Sequence, residues 1–288
     1  MNHNRLAQAW DIHVHATPSL FERKTDSLAL VKQCIAHEMA GIVLKFHHGS
    51  SIEIAHALNC VQLKVYGGIV LNHFVGGLNT YAVDSAIALG AKIIWLPTMH
   101  AQAHYDCHCT KGQQARKSKL QRAVTEYLTC IDSDGELVTE VKEILELLDN
   151  SQTSLASGHI SYQEILAIIQ YIDKHKLNVN FLLNHVFYRI PDLTIAQLKQ
   201  CIRPWVYFET AYLSISKAYA YTSAQHLANG ILAMPTANWI MSTDSGQPNN
   251  PSATQSMVSF MEKMELFGLD SEQIKQFTQV NALNYLKN

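Results

Sequence analysis

Histidine dominates the chemistry open to this chain: it has 15, set against 22 Lys plus Arg. Imidazole is the commonest metal ligand and a frequent acid–base group. His13 and His15 flank Val14, so on an extended strand both rings face one side. His159 closes the run Ala156-Ser157-Gly158, His185 closes Leu183-Asn184, and Asp244 follows Ser242-Thr243. Each alone has a plain alternative. His-x-His pairs arise by chance, a buried His can bond to backbone, and an Asp can cap a helix. Gathered in one cavity, four imidazoles and a carboxylate want a divalent metal, since unpaired polar groups there are costly.

Lys45 interrupts the apolar run Ile42–His47, and by alternation Val43, Lys45 and His47 share a face. A lysine there is costly unless paired or modified. Three readings stay open. Lys45 is carboxylated and bridges two metals, or it is a cation that anchors or polarises a substrate, or it is a structural partner of Asp11 or Glu209. Asn72, His100 and Glu209 also end strands, and Arg189 lies on the loop after the sixth. Of these, His47, His100, Asn72 and Arg189 are expected to contact substrate. Lys45 with Arg189 favours an anionic or strongly polar one. His104, Cys107, His108 and Cys109 are expected to be a solvated loop or a lid zinc site, although His104 could reach into the active site instead.

These residues need a scaffold that brings strand ends together. Eight apolar runs read as buried parallel strands: Trp10–His15, Ile42–His47, Val65–Asn72, Lys92–Met99, Thr153–His159, Val179–Val186, Trp205–Glu209 and Trp239–Asp244. Helix-period stretches separate them: 25–40, 136–149, 162–175 (opened by a Ser161/Glu164 capping box), 194–202, 214–229, 252–267 and 271–287. Eightfold alternation predicts an α/β protein, a (β/α)₈ barrel whose mouth lies at the strands' C-terminal ends. It would be a single domain over 1–288. Residues 101–134, with Lys111, Arg116, Lys117, Lys119 and Arg122, would be a long insertion after strand four: a lid or a solvated helix.

His13-x-His15, His159, His185 and Asp244, on strands one, five, six and eight, resemble the ligand set of the amidohydrolase superfamily of metal-dependent hydrolases. Residues Phe277–Leu286 are similar to that superfamily's closing helix, without its proline. The resemblance implies one or two divalent ions, Zn by default with Mn, Fe or Co as alternatives. It implies that Asp244 both binds metal and takes a proton from the attacking water; Lys45, with His47 and His100, is expected to orient the substrate or stabilise the developing oxyanion. The target would be an amide, a cyclic amide or a lactone. The chain departs from the binuclear pattern: strand four ends Leu96-Pro97-Thr98-Met99-His100, with neither Lys nor Glu. A metal-dependent decarboxylase on the same barrel is the alternative, and a phosphoesterase or a non-catalytic binder ranks lower.

Composition narrows the partners. Of 288 residues 48% are hydrophobic and 16% charged, with net charge −2, which is not the footprint of a nucleic-acid binder. No apolar run reaches the roughly 18 residues of a membrane span. The first ten residues lack an apolar signal core, so a cytoplasmic protein with free thiols at its six cysteines is expected. The expected partner is a small-molecule substrate, and a homodimer is the default assembly.

Overall fold

The computed structural model describes residues 4–110, 124–235 and 237–287. Among them are nine short strands: β1 (Trp10–Val14), β2 (Gly41–Leu44), β3 (Lys64–Tyr66), β4 (Gly68–Val70), β5 (Ile93–Trp95), β6 (Ser154–Ala156), β7 (Phe181–Leu183), β8 (Val206–Ala211) and β9 (Asn238–Ser242). Every pairing is parallel. The order is β1-β2-β3 in one sheet and β4-β5-β6-β7-β8-β9 in another. The third expected strand, Val65–Asn72, is thus divided at Gly67. A Cβ there would sit 2.5 Å from the carbonyl oxygen of Ser51, so only glycine lets the chain pass so close. β3 and β4 together make one stave, and the barrel has the expected eight. Where β9 meets β1, an isolated Val14–Ser245 bridge and the backbone bonds Asp244 N to His13 O and His15 N to Ser245 O, both 2.8 Å, join them.

Period-two alternation sorts the strand residues into two cores. Ile42, Leu44, Ile69, Ile94, Leu155, Phe181, Phe208 and Trp239 face out. They are covered by α1 (Ser27–Ala36), α2 (Ile52–Leu58), α3 (Thr80–Ala88), α5 (Thr139–Leu148), α6 (Tyr162–His175), α7 (Ile195–Gln200), α8 (Ala224–Leu232) and α9 (Ala253–Leu266). The helix α4 (Gln102–Thr110) opens the insertion after β5. The interior holds Trp10, Ile12, Val43, Val70, Ile93, Trp95, Ala156, Leu182, Tyr207 and Ile240. The segment after α10 (Ser271–Lys275) runs through a π-helical turn (Gln276–Val280) into α11 (Asn281–Tyr285). It floors the barrel: Tyr285 is fully buried, its hydroxyl donates to Leu155 O at 2.8 Å, and Ser154 Oγ donates to Tyr285 O at 2.6 Å.

Helix ends follow local chemistry. The Ser161/Glu164 capping box opens α6 as expected, and Ser252 with Gln255 does the same for α9. The stretch expected to be helical over 214–229 instead begins as a 3₁₀ turn (Tyr212–Ile215), and α8 starts only after Ser223 caps it. The basic cluster at 111–122 lies outside the described residues. No helix among the described residues is long and apolar enough to cross a membrane.

Candidate active site

The site begins with an irregularity in β1. Ile12 packs in the inner core and Val14 in the outer, so strict alternation fails between them, and the β1–β2 register shifts between Asp11 and Val14. Such a bulge re-aims side chains. Here it turns His13 and His15 inward above Ile12. Asp11 braces the distorted strand: its carboxylate accepts from His13 N (3.3 Å), Thr243 N (3.1 Å) and Thr243 Oγ1 (2.5 Å). Burial pushes its carboxyl up to about 6.

Both imidazoles are fixed in tautomer. His13 Nδ1 lies 2.9 Å from Glu209 Oε1, and His15 Nδ1 lies 2.7 Å from the carbonyl oxygen of Lys45. Each acceptor requires the proton on Nδ1, so each Nε2 turns a lone pair into the cavity. There they meet Asp244: its Oδ1 stands 3.0 Å from His15 Nε2 and 3.4 Å from His13 Nε2. Asp244 is held at φ +48° by its backbone bond to His13 O and by Gln247, which donates to its carbonyl. Burial drives His15 down to about 3. With the proton on Nδ1, His15 Nε2 and Asp244 Oδ1 face each other as two acceptors at hydrogen-bond distance. A cation between them removes that repulsion, and the three donor atoms lie within 4.8 Å of one another. The donor set, two imidazole nitrogens and a carboxylate, fits a divalent ion.

Glu209 is the residue that sequence reasoning undervalued. Its carboxylate is fully buried and accepts four bonds, from His13 Nδ1, Ser242 Oγ, Asn184 Nδ2 and the His185 backbone. Burial opposes its ionisation, yet these donors, His13 foremost, hold it well below its usual range. A carboxylate behind a ligating imidazole sharpens that ligand's direction and basicity. The signal was there: an ionisable group in the middle of the apolar run Val206–Ala211 needs partners.

Lys45 extends from β2 into the same layer. It is fully buried, with Nζ 3.2 Å from His13 Nε2 and 5.4 Å above the Trp95 ring. It makes an ion pair with neither Asp11 nor Glu209, so the structural pairing weighed above does not form. Burial lowers it to about 8, against the pull of Asp244 and Glu209.

His185 and His159 stand beside the three-residue group without joining it. Ring centroids of His13 and His185 are 5.9 Å apart, and those of His185 and His159 are 5.1 Å apart. Among the described residues His185 Nδ1 is buried with no hydrogen-bond partner, an orphaned ligand atom facing a polar cavity. His159 Nδ1 lies 2.7 Å from Nδ1 of His104, so α4 does bring a histidine down into the site. The rest of the lid cluster does not gather into a metal site among the described residues; Cys107 Sγ instead bonds to Arg189 O at 3.5 Å. The Cys109 side chain lies outside the described residues.

The expected substrate contacts divide. His47 stacks on His15 at 4.8 Å and bonds to Thr98 Oγ1 at 3.0 Å. Asn72 and His100 are committed within the protein. The Asn72 amide donates to His47 O and Thr98 Oγ1, and its carbonyl accepts from Thr98 N and His100 N. His100 Nδ1 accepts from His73 N at 3.0 Å. Arg189 lies at the mouth between two tyrosines. Arg23, which the sequence did not single out, is buried on the loop after β1. Its Nε bonds to Ser19 Oγ at 3.2 Å, and its charge helps depress His15, His47 and Lys45.

Comparison with known proteins agrees with this barrel. Among solved structures, an amidohydrolase from Pseudomonas aeruginosa is 10% identical, with 98% of this chain and 96% of that one covered at TM-score 0.64. A lactonase from Listeria monocytogenes is also 10% identical, with coverage of 98% and 95% and TM-score 0.61. A dihydroorotase matches at 10% identity, covering 97% and 71%, with TM-score 0.54. The shared element is the fold, an amidohydrolase-type barrel. No curated protein sequence matches the chain. A family profile matches residues 8–209, from the approach to β1 through Glu209, and on that match the chain belongs to DUF6282, a family of unknown function.

Proposed function

We propose that this protein is a metal-dependent hydrolase that opens an amide, cyclic amide or lactone bond of a small molecule with a metal-activated water. The observation carrying this reading is the lone-pair confrontation of His13 Nε2, His15 Nε2 and Asp244 Oδ1, enforced by tautomers that Glu209 and the Lys45 carbonyl fix. His13, His15 and Asp244 would hold the ion, with His185 and His159 next to them for a second; Zn is the default for this donor set. When bound, the ion acidifies a water and polarises a carbonyl. Asp244, ionised and at the edge of the group, accepts the water's proton and returns it to the leaving atom. Lys45 Nζ, desolvated and aimed into the same cavity, donates to the oxygen on which charge develops. Glu209 keeps His13 in its ligating tautomer throughout. The likeness to an amidohydrolase and a lactonase supports the reaction class.

The test is elemental analysis of purified protein beside a His13→Ala/His15→Ala variant, with turnover measured on lactone and cyclic-amide panels. We expect one or two metal ions per chain, lost in the variant together with activity. Absence of metal after reconstitution would sink the reading, and carbon dioxide release without water uptake would replace hydrolysis with decarboxylation.

A further inference from the structure

We propose that Arg189 and its flanking tyrosines form a carboxylate-binding subsite, so that the substrate of this centre carries a carboxylate one aromatic ring away from the bond that is cleaved. The second half of that statement rests on the hydrolase reading; the subsite itself does not.

The residues come from two neighbouring loops at the barrel mouth. Arg189 and Tyr188 follow β7, and Tyr221 follows β8. The Arg189 guanidinium carbon lies 5.7 Å from the Tyr188 ring centroid and 5.7 Å from that of Tyr221. The two rings meet edge to face at 5.8 Å. Flanking rings attract the cation and restrict its orientation, leaving the guanidinium edge as the face for recognition. Part of that edge is unsatisfied: among the described residues, Arg189 Nε is buried without a hydrogen-bond partner and Arg189 forms no ion pair. The carboxylate nearest in sequence, Asp192, accepts instead from the Tyr221 hydroxyl. A buried donor on a permanent cation is costly to leave unmade, and a planar carboxylate is the group whose two oxygens match a guanidinium edge.

Placement ties the subsite to the reacting centre. Tyr188 lies edge-on to His185 at 5.7 Å, so the clamp opens directly beside the histidine cluster. On its other side α4 seals the loop, with Cys107 donating to the Arg189 carbonyl. Arg189 is therefore held by both loops and by the insertion.

The experiment is a thermal-shift and calorimetric titration of the metal-loaded protein. The ligands are acetate, succinate and benzoate, their neutral amides, and inorganic phosphate. The expected result is saturable binding of at least one carboxylate, with its amide at least about tenfold weaker. Arg189→Gln should weaken that carboxylate by about 10- to 100-fold, the value of a lost charge-assisted pair. Arg189→Lys, which keeps the charge and loses the fork, should fall between. Tyr221→Leu, which removes one wall and leaves Arg189 in place, should weaken binding severalfold and serves if the Gln variant does not fold. Equal binding by wild type and Arg189→Gln, no binding by any carboxylate, or phosphate binding as tightly as the best carboxylate would each overturn the subsite. Binding that disappears with EDTA but survives Arg189→Gln is ligation of the metal and overturns it too. A chain that takes up no metal and turns over nothing, yet binds carboxylate through Arg189, would refute the hydrolase and leave the subsite standing.

Discussion

Seven histidine rings run in sequence across the mouth: His47, His15, His13, His185, His159, His104 and His108, with successive centroids 4.3 to 5.9 Å apart. Burying imidazoles this closely ties stability to pH. Burial lowers His15 to about 3 and His185 to about 4, and it depresses His47 and His159 strongly. In the unfolded chain each returns to about 6.5. Between those values only the unfolded chain binds the proton, so stability falls as pH drops below 6.5, by up to about 1.4 kcal/mol per unit for each such ring. Asp11, raised to about 6, works the other way below that pH, one group against four. The urea midpoint of the metal-free protein should therefore decline steadily from pH 7 to 5, and less steeply in His47→Gln. A flat profile would mean that these rings are charged in the folded state. At this scale the metal-facing side chains were legible, because histidine at a strand end is conspicuous. Glu209 was undervalued, since a carboxylate in the middle of a strand says only that it needs partners until its four donors are placed. Arg23 was hidden differently: a loop residue's direction depends on a backbone path that no periodicity encodes.

Strands were legible where they were continuous and apolar: β1, β5, β6 and β7 fall within the expected runs, and β2 and β9 begin one residue ahead of theirs. What alternation could not report was where its phase breaks. The β1 bulge puts Ile12 and His13 on one side, and Gly67 divides a stave, because a backbone contact decides each position and side-chain hydrophobicity does not. The turn after β6 is a third such place. Gly158 adopts φ +58°, and a Cβ on it would stand 2.2 Å from the Leu96 carbonyl oxygen. Gly158→Ala should cost more than about 2 kcal/mol, from positive φ together with backbone overlap. It should also dislodge His159 from His104. Chemical denaturation gives the first figure, and histidine NMR shifts at low metal report the second. An unchanged midpoint would mean that the β5–β6 ends separate easily, and that this side of the mouth is softer than its hydrogen bonds imply.

At the scale of the molecule, two concentric cores are separated by a thin sheet, and the inner one is closed by helix at the bottom and by chemistry at the top. Eightfold alternation made the barrel readable before any coordinate. The floor was visible only as a helix of unknown destination, since nothing in Asn281–Tyr285 says which cavity it enters. Its contribution is large: Tyr285 fills space beneath Tyr207 at 5.3 Å between ring centroids and bonds to β6. Tyr285→Ala should destabilise by about 3–5 kcal/mol, in the range of other large-to-small aromatic truncations in cores. Tyr285→Phe, losing one bond, should cost about 1 kcal/mol. Thermal unfolding separates the two, and an Ala variant no weaker than Phe would show that the floor is not packed. The same feature bears on how the protein is made in the cell. A nascent chain that has emerged through Asp244 owns every strand and every metal-facing side chain, yet its interior is still open to water from below. Until the ribosome adds the segment that carries Tyr285, the growing polypeptide displays Trp10, Tyr207 and their neighbours to the surrounding chaperones. Final assembly of this barrel is consequently a late event in its synthesis, however early its staves align.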